Sequence, residues 1–135
     1  MSDGVIPAEA RQFLLRSIDS IAQLEGLLWL RAHADRAWDA ATVAGHLYIP
    51  EAEATRLLTR LAQDGLVTIE VAADLRHYAY RPATVELDAL VTQIDALYRQ
   101  YLIPITNLIH AKSRDRSRSS IEAFADAFRL RKDKP

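Results

Sequence analysis

Few side chains in this sequence are able to do acid–base or metal chemistry, and they are scattered. The four histidines are His33, His46, His77 and His110, and no spacing puts two of them on one helical turn. There is no His-Glu-x-x-His run and no cysteine, so a zinc site, a thiolate nucleophile and a disulfide all lack their parts. The glycines stand singly at 4, 26, 45 and 65, which leaves no Gly-rich loop to cradle a phosphate. No serine occupies a strand–turn–helix elbow. The expectation is a non-enzyme with no catalytic residues, no metal and no cofactor. His46 reads as flanking a turn, and His33 as closing a helix.

The remaining polar candidates lie together. Thr55, Arg56, Thr59 and Arg60 repeat at a four-residue interval, which places like with like on one side of a helix. Arg76 and His77 follow in a β-prone run. A pair such as Arg56 and Arg60 is suited either to contact a charged partner or to stand as solvated charge.

The elements that position these residues follow from hydrophobic period and capping. Ile6, Ala10, Phe13, Leu14 and Ile18 recur with a helical period, predicting a helix from Ile6 to Ser17 with Pro7 in its first turn. Asp19-Ser20 interrupts it and supplies an N-cap for a second helix, Ile21 to His33, with Trp29 at the edge of its apolar face. After a short link in which Trp38 is expected to pack into the core, Asp39 caps a helix from Ala40 to Leu47. Tyr48-Ile-Pro50 is a turn, and Pro50 opens a helix to about Gln63 that buries Ala54, Leu57, Leu58 and Leu61. Gly65 ends it. Two β-prone runs, Leu66–Val71 and Arg76–Arg81, flank the hairpin turn Ala72–Leu75, and Pro82 closes the second.

From Thr84 the period is helical again. Leu87, Leu90, Val91, Ile94, Leu97, Tyr98, Tyr101, Ile105, Leu108 and Ile109 form a stripe suited to packing against another helix, with a small-molecule pocket as the alternative use. Pro104 should kink that helix or split it. Ser113–Ser120 reads as a polar, basic linker and Ile121–Leu130 as a last amphipathic helix. No internal repeat is visible.

At 135 residues, 50% hydrophobic and 26% charged, the chain suits one domain with a helical extension. The start, MSDGVIPAEA, lacks a signal-peptide pattern, and apolar stretches are cut by Arg, Glu or Asp before a membrane span is reached. Cytoplasmic residence, away from membranes, is expected by elimination.

The stretch from Val43 to Val67 resembles the winged helix–turn–helix superfamily, in particular its MarR-like regulators. Ala44, Leu47, Ile49, Ala54, Leu58, Leu61, Gly65, Leu66 and Val67 meet the family pattern without a gap, over a match covering roughly residues 20–82. Ala44 lets the two helices cross closely, Leu47 and Ile49 lock the turn, and Gly65 permits the reversal into the wing. The resemblance implies a mainly α fold with a small β-hairpin wing and flanking N- and C-terminal helices. It divides the chain into a flanking helix (1–19), the winged helix–turn–helix domain (20–82) and a C-terminal helical extension for dimerisation (83–135).

The resemblance further implies a homodimeric transcriptional regulator of double-stranded DNA, with helix 50–63 in the major groove and the hairpin on the backbone. Carried over by position, the DNA contacts are Ala52, Thr55, Arg56, Thr59 and Arg60 from the helix, with Arg76 and His77 from the wing. The dimer contacts are Leu87, Leu90, Val91, Ile94, Leu97, Tyr98 and Tyr101. Arg56 would meet a guanine edge or a phosphate.

Here the sequence departs from the family. Glu51 and Glu53 open the helix, where they favour the macrodipole but oppose phosphates. Net charge is −1, and residues 1–81 hold 8 basic against 11 acidic side chains while 82–135 hold 9 against 7. The basic residues of the second part sit largely in Lys112–Arg118 and Arg129–Lys134, and the two readings of the run Lys112–Arg118 are a flexible linker and a salt-sensitive phosphate contact. The rival function is a winged-helix protein-interaction module that has lost DNA and presents Glu51 and Glu53 to a protein partner.

Overall fold

A computed structural model describes residues 5–112. The expected linker 113–120, the last helix 121–130 and the basic run 129–134 lie outside the described residues.

Helix α1 (Ala8–Ser17) buries Ala10, Phe13 and Leu14, and Ile6 and Ile18 continue that face beyond its ends. Helix α2 (Ile21–Ala32) starts where Ser20 Oγ accepts the Gln23 amide at 3.1 Å. The Gln23 side chain is buried yet satisfied: its Oε1 accepts from the Asp19 amide at 2.8 Å and its Nε2 donates to Ser17 O at 2.8 Å. A buried amide with its partners in place fixes the α1–α2 corner instead of weakening it.

Strand β1 (Trp38–Asp39) leads directly into α3 (Ala40–Leu47), capped by Asp39 Oδ1 accepting the Thr42 amide at 3.0 Å. Hydrogen bonds from Thr42, with a smaller contribution from the charge of His77, hold the Asp39 carboxyl below its ordinary value of 3.8. A depressed folded-state pKa means stability that is present above the unfolded value and lost as pH falls through the folded one. Asp39→Ala is therefore expected to cost about 1 kcal/mol at pH 7, and the difference from the parent should vanish in acid below that carboxyl's range. Urea midpoints at neutral and acid pH check it.

Helix α4 (Glu51–Gln63) buries Ala54, Leu57, Leu58 and Leu61, of which the leucines contribute on the order of 2 kcal/mol each. It packs on α2 and α3. Gly26 of α2 makes the approach possible, since a Cβ there would sit 3.1 Å from Leu57 Cδ1 and 3.3 Å from Leu47 Cδ1. At the end of α4, Gly65 takes φ +77° while the Leu66 amide donates back to Leu61 O at 3.0 Å, the left-handed closure expected of this glycine.

Strands β2 (Val67–Ala72) and β3 (Leu75–Tyr80) form the hairpin, and β1 pairs on the far side of β3, giving an antiparallel sheet of order β1-β3-β2. The turn is tighter than the sequence suggested. The two strands close at Ala72 and Leu75, leaving Ala73 and Asp74 at φ 54° and 62°. Two successive positive φ values match the twist of the strands, although neither residue is the Asn or Gly that announces such a turn.

Helix α5 (Val85–Gln100) is capped by Thr84 Oγ1 accepting the Leu87 amide at 3.1 Å. It ends at Tyr101 (φ −123°, ψ 53°), and the chain is helical again over 102–112, here α6. The break falls three residues before Pro104, which then occupies the first turn of α6, where its missing N–H costs nothing. Ile105, Leu108 and Ile109 of α6 are buried in the same continuous core as Phe13, Leu24, Leu58 and Val91.

Candidate nucleic-acid interface

Helix α4 sorts its side chains by face. With Ala54, Leu57, Leu58 and Leu61 inward, the opposite side carries Ala52, Arg56, Thr59 and Gln63. Ala52, Arg56 and Gln63 are exposed and Thr59 is half-buried. Thr55 lies on the flank, half-buried.

The hydroxyl chemistry is partly committed. Thr55 Oγ1 donates to Glu51 O at 3.0 Å, and Thr59 Oγ1 donates to Thr55 O at 2.8 Å. With their protons committed to backbone carbonyls, both hydroxyls are left as acceptors, which suit an amino group on a base edge better than a phosphate oxygen.

Arg60 departs from expectation. Its Nη1 meets Asp19 Oδ2 at 2.8 Å, its Nε meets Asp64 Oδ2 at 3.1 Å, and its Nη2 donates to Arg16 O at 3.0 Å. The guanidinium thus ties α4 to the α1–α2 corner and does not join Arg56 on the outward face. The reason is rotational: the position lies on the flank turned toward α1, and Asp19 waits there. Asp19 is shared with Lys112, whose Nζ lies 3.2 Å from Asp19 Oδ1 and donates to Ile18 O at 2.9 Å.

On the wing, Arg76 is exposed at the hairpin end. His77 is half-buried, with Nδ1 3.1 Å from Leu75 O, and it stands in register between Asp39 of β1 and Glu70 of β2. Glu70 is paired with Arg81 at 2.7 Å. The wing's outer cation is therefore Arg76, with Asp74 beside it at the tip.

His33, His46, Trp29 and Trp38 form one aromatic cluster. The Trp29 ring lies 4.3 Å from His33, 4.5 Å from His46 and 4.9 Å from Trp38, and Trp38 Nε1 donates to His33 O at 2.9 Å. The Arg36 guanidinium covers Trp38 at 3.9 Å. Both tryptophans are half-buried, so the cluster pins β1 to α2 and α3 from the side of the core. Among the described residues no group of three His, Cys, Asp or Glu is placed to hold a metal.

The stripe expected at a dimer contact is divided. Val91 and Ile94 are fully buried in this chain's own core, so they are not available to a second copy. Leu87, Leu90, Leu97, Tyr98 and Tyr101 remain half-buried. Tyr98 Oη donates to Glu25 Oε1 at 3.2 Å, and burial together with that carboxylate raises the phenol pKa to about 12. Asp95 pairs with Arg31 of α2 at 2.8 Å, so α5 is fastened to α2 by polar as well as apolar contacts. The large apolar side chains left open nearby are Val85, Leu102 and Ile103. A shallow cleft of about 250 Å³ between α1 and α5 touches Leu87 and Leu90 beside Glu9 and Arg16.

Two side chains matter here that sequence reading passed over. Tyr48, in the turn before α4, is 95% exposed with φ 56°. Asp19, read only as a helix break, joins three elements.

An exposed amphipathic helix following a helix and a tight turn, with a three-stranded antiparallel wing behind it, defines the winged helix–turn–helix class. Comparison with solved structures agrees. The chain resembles MepR, described as a transcription regulator of the Staphylococcus aureus multidrug efflux pump MepA, at TM-score 0.54 and 15% identity over 93% of this chain and 92% of that one. A mutant MepR bound to an oligodeoxyribonucleotide gives TM-score 0.53 and 16% identity over 93% and 91%. HlyU from Vibrio cholerae gives 0.52 and 21% over 67% and 94%. No family model matches the sequence, and no curated protein does. This chain has the winged helix–turn–helix fold that these structures share. Among the described residues no helix is long and apolar enough to cross a membrane.

Proposed function

We propose that this chain is a sequence-specific regulator of transcription that binds double-stranded DNA as a homodimer. The observation that carries the reading is the outward face of α4: Ala52, Arg56 and Gln63 are exposed with Thr59 half-buried between them, while the helix behind them is anchored by four buried side chains. A rigid helix with a free polar face is the part that a major groove accepts. The MepR structure holding an oligodeoxyribonucleotide supports the same use. Arg76 contacts the backbone from the wing. Leu102 and Ile103, with the half-buried part of the α5 stripe, supply the apolar surface for a second copy. No catalytic step is involved; occupancy of the operator is the output.

One observation favours the second reading, a protein-interaction module. Arg60 is spent inside the fold, so the outward face of α4 keeps Arg56 as its cation while Glu51 and Glu53 stand in the first turn. The test is retention of genomic duplex fragments by the pure protein at low and moderate salt, together with its mass in solution. Selective retention by a dimer that survives added salt supports the regulator. No retention at low salt sinks it and sends the search to protein partners of Glu51 and Glu53. If DNA is bound, Glu51→Gln with Glu53→Gln should tighten it several-fold, most at low salt, because two charges opposing phosphate are removed.

A further inference from the structure

We infer that Tyr48 is a DNA contact, its phenol hydroxyl donating to a phosphodiester oxygen at the edge of the groove that α4 enters. The inference rests on the DNA-binding reading above and names a residue that the family pattern did not supply.

The first argument is energetic. Tyr48 adopts φ 56°, ψ 45°, the left-handed region in which a side chain crowds its own backbone. Among the described residues the other positive-φ positions hold small or turn-forming residues: Gly65, Ala73 and Asp74. At 48 a large aromatic stands in their place and is 95% exposed, so burial returns nothing for the backbone strain. Glycine or asparagine would close α3 more easily. Strain retained without an internal gain points to a contact made outside the chain.

The second argument is positional. Tyr48 is the C-cap of α3, its amide donating to Ala44 O, and the next amide, of Ile49, donates to the same oxygen at 3.1 Å. Ile49 packs against the core and Pro50 starts α4 at φ −63°. The backbone that carries the phenol is therefore held on both sides, and a tyrosine has only two side-chain torsions left to fix on binding. Its donor stands beside the opening of the helix that reads the groove.

The third argument is chemical. Glu51 and Glu53 occupy the first turn of α4, whereas Arg60 stands in the last turn and is bound to Asp19. This end of the helix has little cationic surface with which to approach phosphate. A phenol is a neutral donor on a long arm. It can meet a phosphate oxygen in a charge-assisted hydrogen bond and lay its ring on the adjoining sugar without bringing positive charge.

Because no cation is involved, the contact leaves a signature. Loss of an arginine–phosphate contact flattens the dependence of log K on log salt, whereas loss of a phenol contact leaves that slope unchanged.

The experiment uses the full chain and a duplex fragment that it retains, measured by fluorescence anisotropy over a salt series, with thermal unfolding alongside. Tyr48→Gly should unfold at or above the parent temperature, bind about tenfold more weakly, and keep the parent salt slope. Tyr48→Phe should unfold like the parent and lose part of that affinity. Undiminished binding by Tyr48→Gly would overturn the inference and leave the DNA reading standing. A joint fall of unfolding temperature and affinity in Tyr48→Gly would also overturn it, by showing that the ring supports the fold. Failure of the parent protein to retain any duplex at low salt would remove the DNA reading, and this contact with it.

Discussion

Asp19→Ala is expected to destabilise the fold by about 2 kcal/mol, more than loss of any single helix cap in the chain. The carboxylate sits between Arg60 of α4 and Lys112 of α6, at 2.8 and 3.2 Å. The Lys112 side chain is 12% exposed, so its ammonium has exchanged much of its water for Asp19 and for the carbonyls of Ile18 and Leu14. Removing the carboxylate leaves that charge poorly compensated, and breaking one side of a buried pair costs far more than the pair itself contributes. The partial exposure of Asp19 and Arg60 keeps the figure below the fully buried range. In a urea titration the midpoint should fall with an unchanged slope. Adding Lys112→Met to Asp19→Ala should recover part of the loss, because the orphaned charge is then gone. A shift below about 0.5 kcal/mol would mean that the node is held no more firmly than an ordinary surface pair.

This node also marks where sequence reading stops. Caps at Ser20, Asp39 and Gly65 act over three or four residues, so local residue order was enough to place α2, α3 and the end of α4. The inward set Ala54, Leu57, Leu58 and Leu61 follows from helical period alone. The role of Arg60 does not, because its partner lies 41 residues away and period cannot tell an outward residue from a flanking one. Val91 and Ile94 fail in the same manner: a stripe announces that a helix packs, but not whether the other surface belongs to the same chain. The hairpin and the place of its turn were foreseen and the turn's conformation was not, since Ala73-Asp74 carries no strong signal for two positive φ values. Tyr48 was hidden for a related reason. The following Ile49-Pro50 marks a turn, but which residue takes the left-handed conformation depends on how α3 closes on Ala44.

The diversion of Arg60 concentrates the electrostatics of the reading helix on Arg56, which gives the largest expected functional effect. Arg56→Ala should weaken duplex binding by about 10- to 100-fold, and the slope of log K against log salt should become shallower by about 1 if the contact is to phosphate. A guanine contact would show differently: the loss would concentrate on the preferred sequence and discrimination at one base pair would relax. Stability should stay within about 0.5 kcal/mol of the parent in either case, because the side chain is exposed on the face opposite the core. Arg60→Ala supplies the opposite pattern, a loss of stability from the Asp19 node with the salt slope unchanged. Parent-like affinity and slope in Arg56→Ala would show that α4 does not enter the groove through this face. Duplex binding, if present, would then have to come from the wing, where Arg76 is the exposed cation to replace next.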